Sequence, residues 1–286
     1  MRSDLSYASS AATRRGQAVV RLLENATGRL QMIKRATGYE AEIARGVDFW
    51  QVMLQRFGLS VDIFGGALAN IPCQGPVIVV ANHPFGILDG MVMGHILSQA
   101  RSDFRILANA VFGQTAEMDR VILPISFDET RAAVRTNLDS RKAALKHLQQ
   151  GGVVGVFPGG TVSTAAHPFG HPMDPAWRVF TARMVAKSKA CVVPIYFEGH
   201  TSRLFQIASH VHMNLRLGLL INSFKKSTDR AVRLSIGAPI GRDVLDPLSR
   251  ESKQMMDFLR KATYELSANP IKSFDLGYDF EDRHRA

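Results

Sequence analysis

The sequence predicts an α/β fold: a layered, largely parallel sheet flanked by helices, with an N-terminal amphipathic helical segment. Three observations carry this. The first 70 residues place apolar side chains at helical spacing. From Gly75 onward, short apolar runs alternate with longer helical patterns, as in parallel sheets with crossover helices. No composition break or Gly/Ser linker divides the 286 residues, a length that one folded unit can serve.

The elements follow in order. In "RRGQAVVRLLENATGRLQMIKRAT", Val19, Leu22, Leu23, Leu30 and Ile33 share a face, with Arg21, Arg29, Lys34 and Arg35 elsewhere. Residues 1–60 hold nine Lys/Arg and five Asp/Glu, a net charge of +4. Two readings fit: a helix docked on the core with a solvated basic face, or a helix lying in a membrane interface. "GLSVDIFGGALANIPCQGP" reads as strand and turn. Strands are expected over 76–82, 103–109, 121–126, 152–159, 191–199 and 231–240. Helices are expected over 89–100, 131–150, 175–190, 211–224 and 249–266. The organisation is then a membrane-facing helical segment over 1–70, part of the same fold, and an α/β domain over 71–286.

Composition narrows the partners. A net charge of +10 favours anionic ones: nucleic acid, phospholipid head groups or phosphorylated cofactors. No helix-turn-helix, zinc finger or RNP-type pattern occurs, so no nucleic acid is expected. No run of 18 apolar residues occurs, so membrane contact is expected to be peripheral. Cys73 and Cys191 give no disulfide framework and read as reduced core residues of a cytoplasmic protein.

The tetrapeptide His-Pro-Phe-Gly occurs twice, at His83–Gly86 and at His167–Gly170. Ligands gather at the carboxyl ends of parallel strands, which is where the first copy falls. The apolar run Val77–Val80 delivers Asn82 and His83 into a loop that Pro84 and Gly86 turn sharply. Asp89 starts the next helix and, if the loop folds back, meets the His83 imidazole. A carboxylate there fixes the tautomer and stabilises the imidazolium of a general base. The alternative is that Asp89 only caps the helix and His83 bonds backbone. The second copy follows no apolar strand. Its prolines forbid the helix on which His167 and His171 would hold a metal, so no metal site is expected. It reads as a coincidental echo that lines or covers the pocket.

A second apolar strand runs into Phe157, Pro158, Gly159, Gly160 and Thr161. Two glycines let backbone N–H groups face an anion, although no Lys follows as in a Walker A loop. No Gly-x-Ser-x-Gly elbow or cysteine nucleophile stands in a strand-to-helix turn, which argues against a covalent hydrolase.

Together these motifs resemble the glycerolipid acyltransferase superfamily of the 1-acyl-glycerol-3-phosphate and lysophospholipid type. The matches are Asn82, His83 and Asp89; Leu123 to Arg131; Phe157-Pro158-Gly159-Gly160-Thr161-Val162-Ser163; and Val193-Pro194-Ile195. "NHPFG…DG", with five residues between His83 and Asp89, is similar to a bacterial haemolysin-like and ornithine-lipid-type branch. The resemblance implies acyl transfer from acyl-CoA or acyl carrier protein to the hydroxyl of a lyso-lipid, at the cytoplasmic face of an anionic cell membrane. It makes His83 the base and Asp89 its partner, with no bound cofactor. Asn82, Phe157, Pro158, Gly159, Gly160 and Thr161 would line the substrate site. Gly159 stands where the family has Glu, and Val162 where it has the Arg associated with the acceptor's phosphate. An apolar Val cannot pair a phosphate. Arg131 or Arg135 would replace that Arg, or the acceptor lacks the phosphate, as a lyso-aminolipid does. The alternative is a non-catalytic lipid- or membrane-binding protein that keeps the fold.

Overall fold

A computed structural model describes residues 5–109, 115–126, 130–271 and 273–280. Four helices come first: α1 (Arg14–Thr27), α2 (Arg29–Ala36), α3 (Glu40–Ala44) and α4 (Phe49–Arg56). Among the described residues seven strands follow, interleaved with helices: β1 (Ser60–Gly66), β2 (Val77–Ala81), β3 (Phe104–Asn109), β4 (Ile122–Ile125), β5 (Val153–Val156), β6 (Cys191–Phe197) and β7 (Ala231–Ile236). They form one sheet of order β1-β7-β6-β2-β5-β3-β4. Every pairing is parallel except β6 with β7.

The sheet is mixed but mostly parallel, and its layers follow from side-chain alternation. Val77, Val79 and Ala81 of β2 pack on one side with Trp50 and with Met93 and Leu97 of α5 (Ile87–Ala100). Ile78 and Val80 pack on the other with residues of α7 (Arg131–Gln149), α8 (Phe180–Ser188) and α12 (Ser252–Tyr264). Burial on both faces explains why β2 reads as a continuous apolar run rather than an alternating one.

Two short helices, α6 (Ala116–Val121) and α11 (Arg242–Leu245), lie outside the expected helical stretches, and several other expectations shift. β1 sits in the sheet beside β7, so the helical segment ends at α4 rather than at residue 70. α8 begins at Phe180, not 175, because the chain from Thr164 to Trp177 is held in irregular structure. The helix expected over 211–224 is preceded by an unforeseen one. α9 (Arg203–Val211) and α10 (Met213–Lys226) are separated at His212, whose extended backbone breaks the run and whose ring accepts from the Asn214 N–H. Cys73 is exposed and Cys191 half-buried, so Cys73 is no core residue. α1 buries Gly16, Val20 and Glu24 against the fold, not Val19 or Leu22. Of the predicted stripe, Val19 and Leu22 of α1 and Leu30 of α2 point outward, Leu22 71% and Leu30 63% exposed, while Leu23 and Ile33 are half-buried. Part of the second sequence block, residues 127–129, lies outside the described residues, as does Arg2.

Candidate active site

β5, β2 and β6 are neighbours and parallel, so the loops leaving their carboxyl ends meet. The β2 loop brings His83 to the junction. Gly86 takes φ 76°, a region open to glycine, and reverses the chain into α5. That turn returns Asp89, on the first turn of α5, to the histidine: Asp89 Oδ2 lies 3.0 Å from His83 Nδ1. The same oxygen accepts the N–H groups of Phe85 at 2.8 Å and Gly86 at 3.0 Å. Asp89 therefore caps α5 and faces the imidazole at once.

Asp89 is fully buried, and burial pushes its carboxyl above the usual range while His83 and the two N–H groups pull it back. The His83–Asp89 pair has the distance of a hydrogen bond without its alignment, so neither His83 Nδ1 nor Asp89 Oδ1 has a fully formed partner. Catalytic hydrogen bonds commonly tighten when substrate arrives. With Nδ1 turned to Asp89, Nε2 is the nitrogen left for a reacting proton. The imidazole stacks on Phe157, with ring centroids 4.3 Å apart and planes 29° apart, so the β5 loop fixes the ring's tilt.

The histidine's own peptide is clamped on both sides. Ser163 N–H donates to His83 O at 2.8 Å, and His83 N–H donates to Asp174 Oδ1 at 3.2 Å. Asp174 is buried, accepts from Trp177 Nε1 at 2.9 Å and from the Ser163 hydroxyl, and donates its own N–H to the Tyr264 hydroxyl oxygen at 2.8 Å. A Cβ at Gly159 would stand 3.2 Å from Asp174 Cγ. The place where the resembled family carries a Glu side chain is thus filled by a carboxylate from another segment. That segment is the tail of the second His-Pro-Phe-Gly copy.

The position opposite Val162 is filled similarly. Arg216 of α10 is buried and donates from Nη2 to Thr161 Oγ1 and Val162 O, both at 2.9 Å. From Nη1 it donates to Thr164 Oγ1 at 2.7 Å and Ser209 Oγ at 3.0 Å. Burial pushes its guanidinium down to about 9, and the Phe280 and Phe205 rings lie 4.0 and 5.0 Å from it. Neither Asp174 nor Arg216 is visible as a site residue in sequence, since their partners are far away along the chain.

Other predicted residues divide. Asn82 is buried and its amide is spent on Phe197, donating to its O at 2.9 Å and accepting its N–H at 2.7 Å, so it joins β2 to β6. Pro158 is buried and its carbonyl accepts from Arg178 N–H. The Gly160 N–H closes a turn onto Phe157 O at 3.0 Å. Thr161 is half-buried at the rim, on Arg216. Arg131 and Arg135 are exposed at the start of α7, beyond edge strand β4. Three strand spacings separate β4 from β2, about 14 Å. The structure does not bring these two arginines to His83. No group of three or more metal-ligating side chains occurs among the described residues. A cavity of about 750 Å³ lined by Trp50, Phe104, Glu117 and Leu123 opens elsewhere and shares none of these residues.

Residues 66–198 match the Acyltransferase family model. The lyso-glycine lipid O-acyltransferase of Phocaeicola vulgatus is 25% identical over 228 residues, 77% of this chain and 78% of that protein. The enzyme of the same description from Bacteroides thetaiotaomicron is 23% identical over 234 residues, 79% and 82% of the two chains. The crystal structure of the 1-acyl-sn-glycerophosphate (LPA) acyltransferase PlsC from Thermotoga maritima is 16% identical, covers 90% of this chain and 98% of its own, and gives a TM-score of 0.46. The chain carries an acyltransferase domain over residues 66–198, and that domain together with the two lyso-glycine lipid relatives marks it as an O-acyltransferase.

Proposed function

We propose that the chain moves an acyl group from an acyl thioester to the hydroxyl of a lyso-lipid, with His83 as general base and Asp89 as its partner. The observation that carries this is the His83–Asp89 contact at 3.0 Å, with Phe157 stacked on the ring. The acceptor oxygen attacks the thioester carbonyl as its proton passes to Nε2. The tetrahedral oxyanion collapses, the C–S bond breaks, and the thiolate takes the proton back from the imidazolium. Products are an ester and a free thiol. Asp89 stabilises the imidazolium and keeps the Nδ1–H tautomer. Such a step needs no covalent enzyme intermediate, since the thioester is already activated.

The acceptor we favour is anionic but phosphate-free, as a lyso-aminolipid is. Val162 offers no phosphate ligand, the buried Arg216 guanidinium beside it is spent on Thr161, Val162, Thr164 and Ser209, Arg131 and Arg135 stand at the far edge of the sheet, and both curated relatives are described as lyso-glycine lipid O-acyltransferases. The donor is acyl-CoA or acyl carrier protein, either of which suits a surface of net charge +10. No helix among the described residues is long and apolar enough to cross a membrane. The exposed stripe of Val19, Leu22 and Leu30, beside exposed Arg14, Arg15 and Lys34, suits an anionic bilayer surface, which we place at the cytoplasmic face of the cell membrane.

The test offers purified protein each donor in turn with a lyso-glycine lipid or lysophosphatidic acid. Ester formation on the glycine lipid, lost in His83→Ala by about 10²–10⁴-fold, is the expected result. Equal turnover of wild type and His83→Ala overturns the mechanism. Preference for lysophosphatidic acid overturns the acceptor.

A further inference from the structure

The second His-Pro-Phe-Gly copy forms the tip of a projection whose base is the active site. Thr164 and Met173 pair as an antiparallel bridge, and the residues beside them, Ser163 and Asp174, clamp the His83 peptide. At the far end Phe169 is 79% exposed. The projection is fastened to α9. Arg203 donates to Gly170 O at 2.8 Å, and the Gln206 side chain binds Ala165 N–H at 2.9 Å and Ser163 O at 3.3 Å. α9 in turn exposes Leu204 at 56% and Val211 at 67%, with Ile207 between them, on one helical face. The α1 stripe begins at the same corner of the molecule, because Gly16 packs against Asn214 just past the end of α9.

Large exposed apolar side chains grouped on a rigid unit mark a contact surface. Charge says which kind. Residues 164–173 and 199–215 contain no Asp or Glu, but hold Arg203 and five histidines: His167, His171, His200, His210 and His212. The apolar tip, with the Arg203 cation beside it and no carboxylate in either segment, complements an anionic lipid surface; Asp275 and Asp279 lie on the segment bonded to Thr164 and Asp174, at the base of the projection rather than its tip.

We propose that Phe169 and the outer face of α9 enter a lipid bilayer and set its surface beside His83, so that a lyso-lipid passes from the bilayer along the projection to the base. This rests on the reading that the acceptor is a lipid. The His83 end of the projection is rigid through the Ser163 and Asp174 bonds, so insertion at the tip fixes the height of the imidazole above the bilayer.

The experiment uses the Phe169→Trp variant as its own reporter. Native Trp50 and Trp177 are both 4% exposed and should respond little to vesicles. Vesicles of phosphatidylglycerol and phosphatidylcholine should shift the added indole emission to the blue, and brominated lipid should quench it. Separately, Phe169→Ser should weaken vesicle binding about tenfold or more, and leave turnover of a detergent-dispersed acceptor unchanged. Loss of turnover in detergent as well would assign Phe169 to the folded site and overturn the proposal. So would an unshifted emission spectrum of Phe169→Trp, or a wild-type dimer in sedimentation that Phe169→Ser dissociates while vesicle binding is unaltered. If the wild type acylates neither acceptor while the Phe169→Trp reporter still inserts, the functional reading fails and the surface stands.

Discussion

At the scale of single residues, the site is built by substitution across the fold. Gly159 and Val162 remove two polar side chains from the β5 loop, and Asp174 and Arg216 bring a carboxylate and a guanidinium back to it. A sharp prediction follows for the first pair. Gly159→Glu, which restores the resembled family's residue, should abolish activity, because the new side chain meets Asp174 within 3.3 Å. Forcing a side chain into a filled site costs about 1–3 kcal/mol, readable as a lowered Tm. A Gly159→Glu, Asp174→Gly double variant should recover part of that stability; equal melting of single and double variants would show that the two positions do not compete. Asp89 offers a second test, with a sign. Its carboxyl is raised by burial, so the associated stability is present in acid and is lost as pH rises from the ordinary carboxylate range through the raised value. Asp89→Asn removes the charge that burial disfavours. Its Tm at neutral pH should match or exceed that of wild type, with the difference shrinking toward pH ~4, while turnover falls by about 10²–10⁴-fold. A large loss of Tm at neutral pH would mean that the ionised carboxylate stabilises the fold. His83 and Asp89 were legible in sequence because strand, loop and helix start lie within a few residues. Asp174 was not, since 91 residues separate it from His83 and only the folded sheet joins them.

At the scale of elements, what the chain announces locally it also forms. The apolar runs became β2 to β7, and the periodic stretches became helices, with ends moved by a few residues. α9 was missed although its apolar residues share one broad face; the fold buries only part of that face, Phe205 and Ala208, and leaves Leu204 and Val211 facing out. The antiparallel β6–β7 pairing is likewise non-local. The direction of a strand leaves no mark in its own composition. Asn82 shows how elements are stitched beyond their ladders. Its amide continues the β2–β6 seam past the last strand residue by exchanging two hydrogen bonds with Phe197. Asn82→Ala leaves the buried Phe197 N–H and C=O unpaired, which should cost about 1–3 kcal/mol. Urea unfolding monitored by circular dichroism would show this as a lower midpoint with an unchanged slope. An unchanged midpoint would mean that water replaces the amide.

At the scale of the whole molecule, charge and apolar exposure have separate jobs, and salt can divide them. The chain carries +10 overall, and part of its N-terminal helices' basic side chains are exposed beside Leu22 and Leu30. Attraction of such a surface to anionic lipid is worth about 1 kcal/mol for each Lys or Arg held near the bilayer. It operates over a Debye length of about 8 Å at physiological salt, shrinking to about 3 Å at 1 M. Apolar burial of the outward leucines is not screened in this way, and salt tends to strengthen rather than weaken it. The protein should therefore bind phosphatidylglycerol vesicles tightly in low salt and lose most of that binding by about 1 M NaCl. Leu22→Ser with Leu30→Ser should lower affinity at every salt concentration by a similar factor, leaving the slope against log salt unchanged. Arg14→Gln with Arg15→Gln should flatten the slope instead, because fewer cations are left to be screened. Sedimentation with vesicles of fixed lipid concentration separates the two patterns. Binding that ignores salt would place the attraction wholly in the apolar stripe, and binding that ignores both double variants would move the bilayer contact off the N-terminal helices altogether.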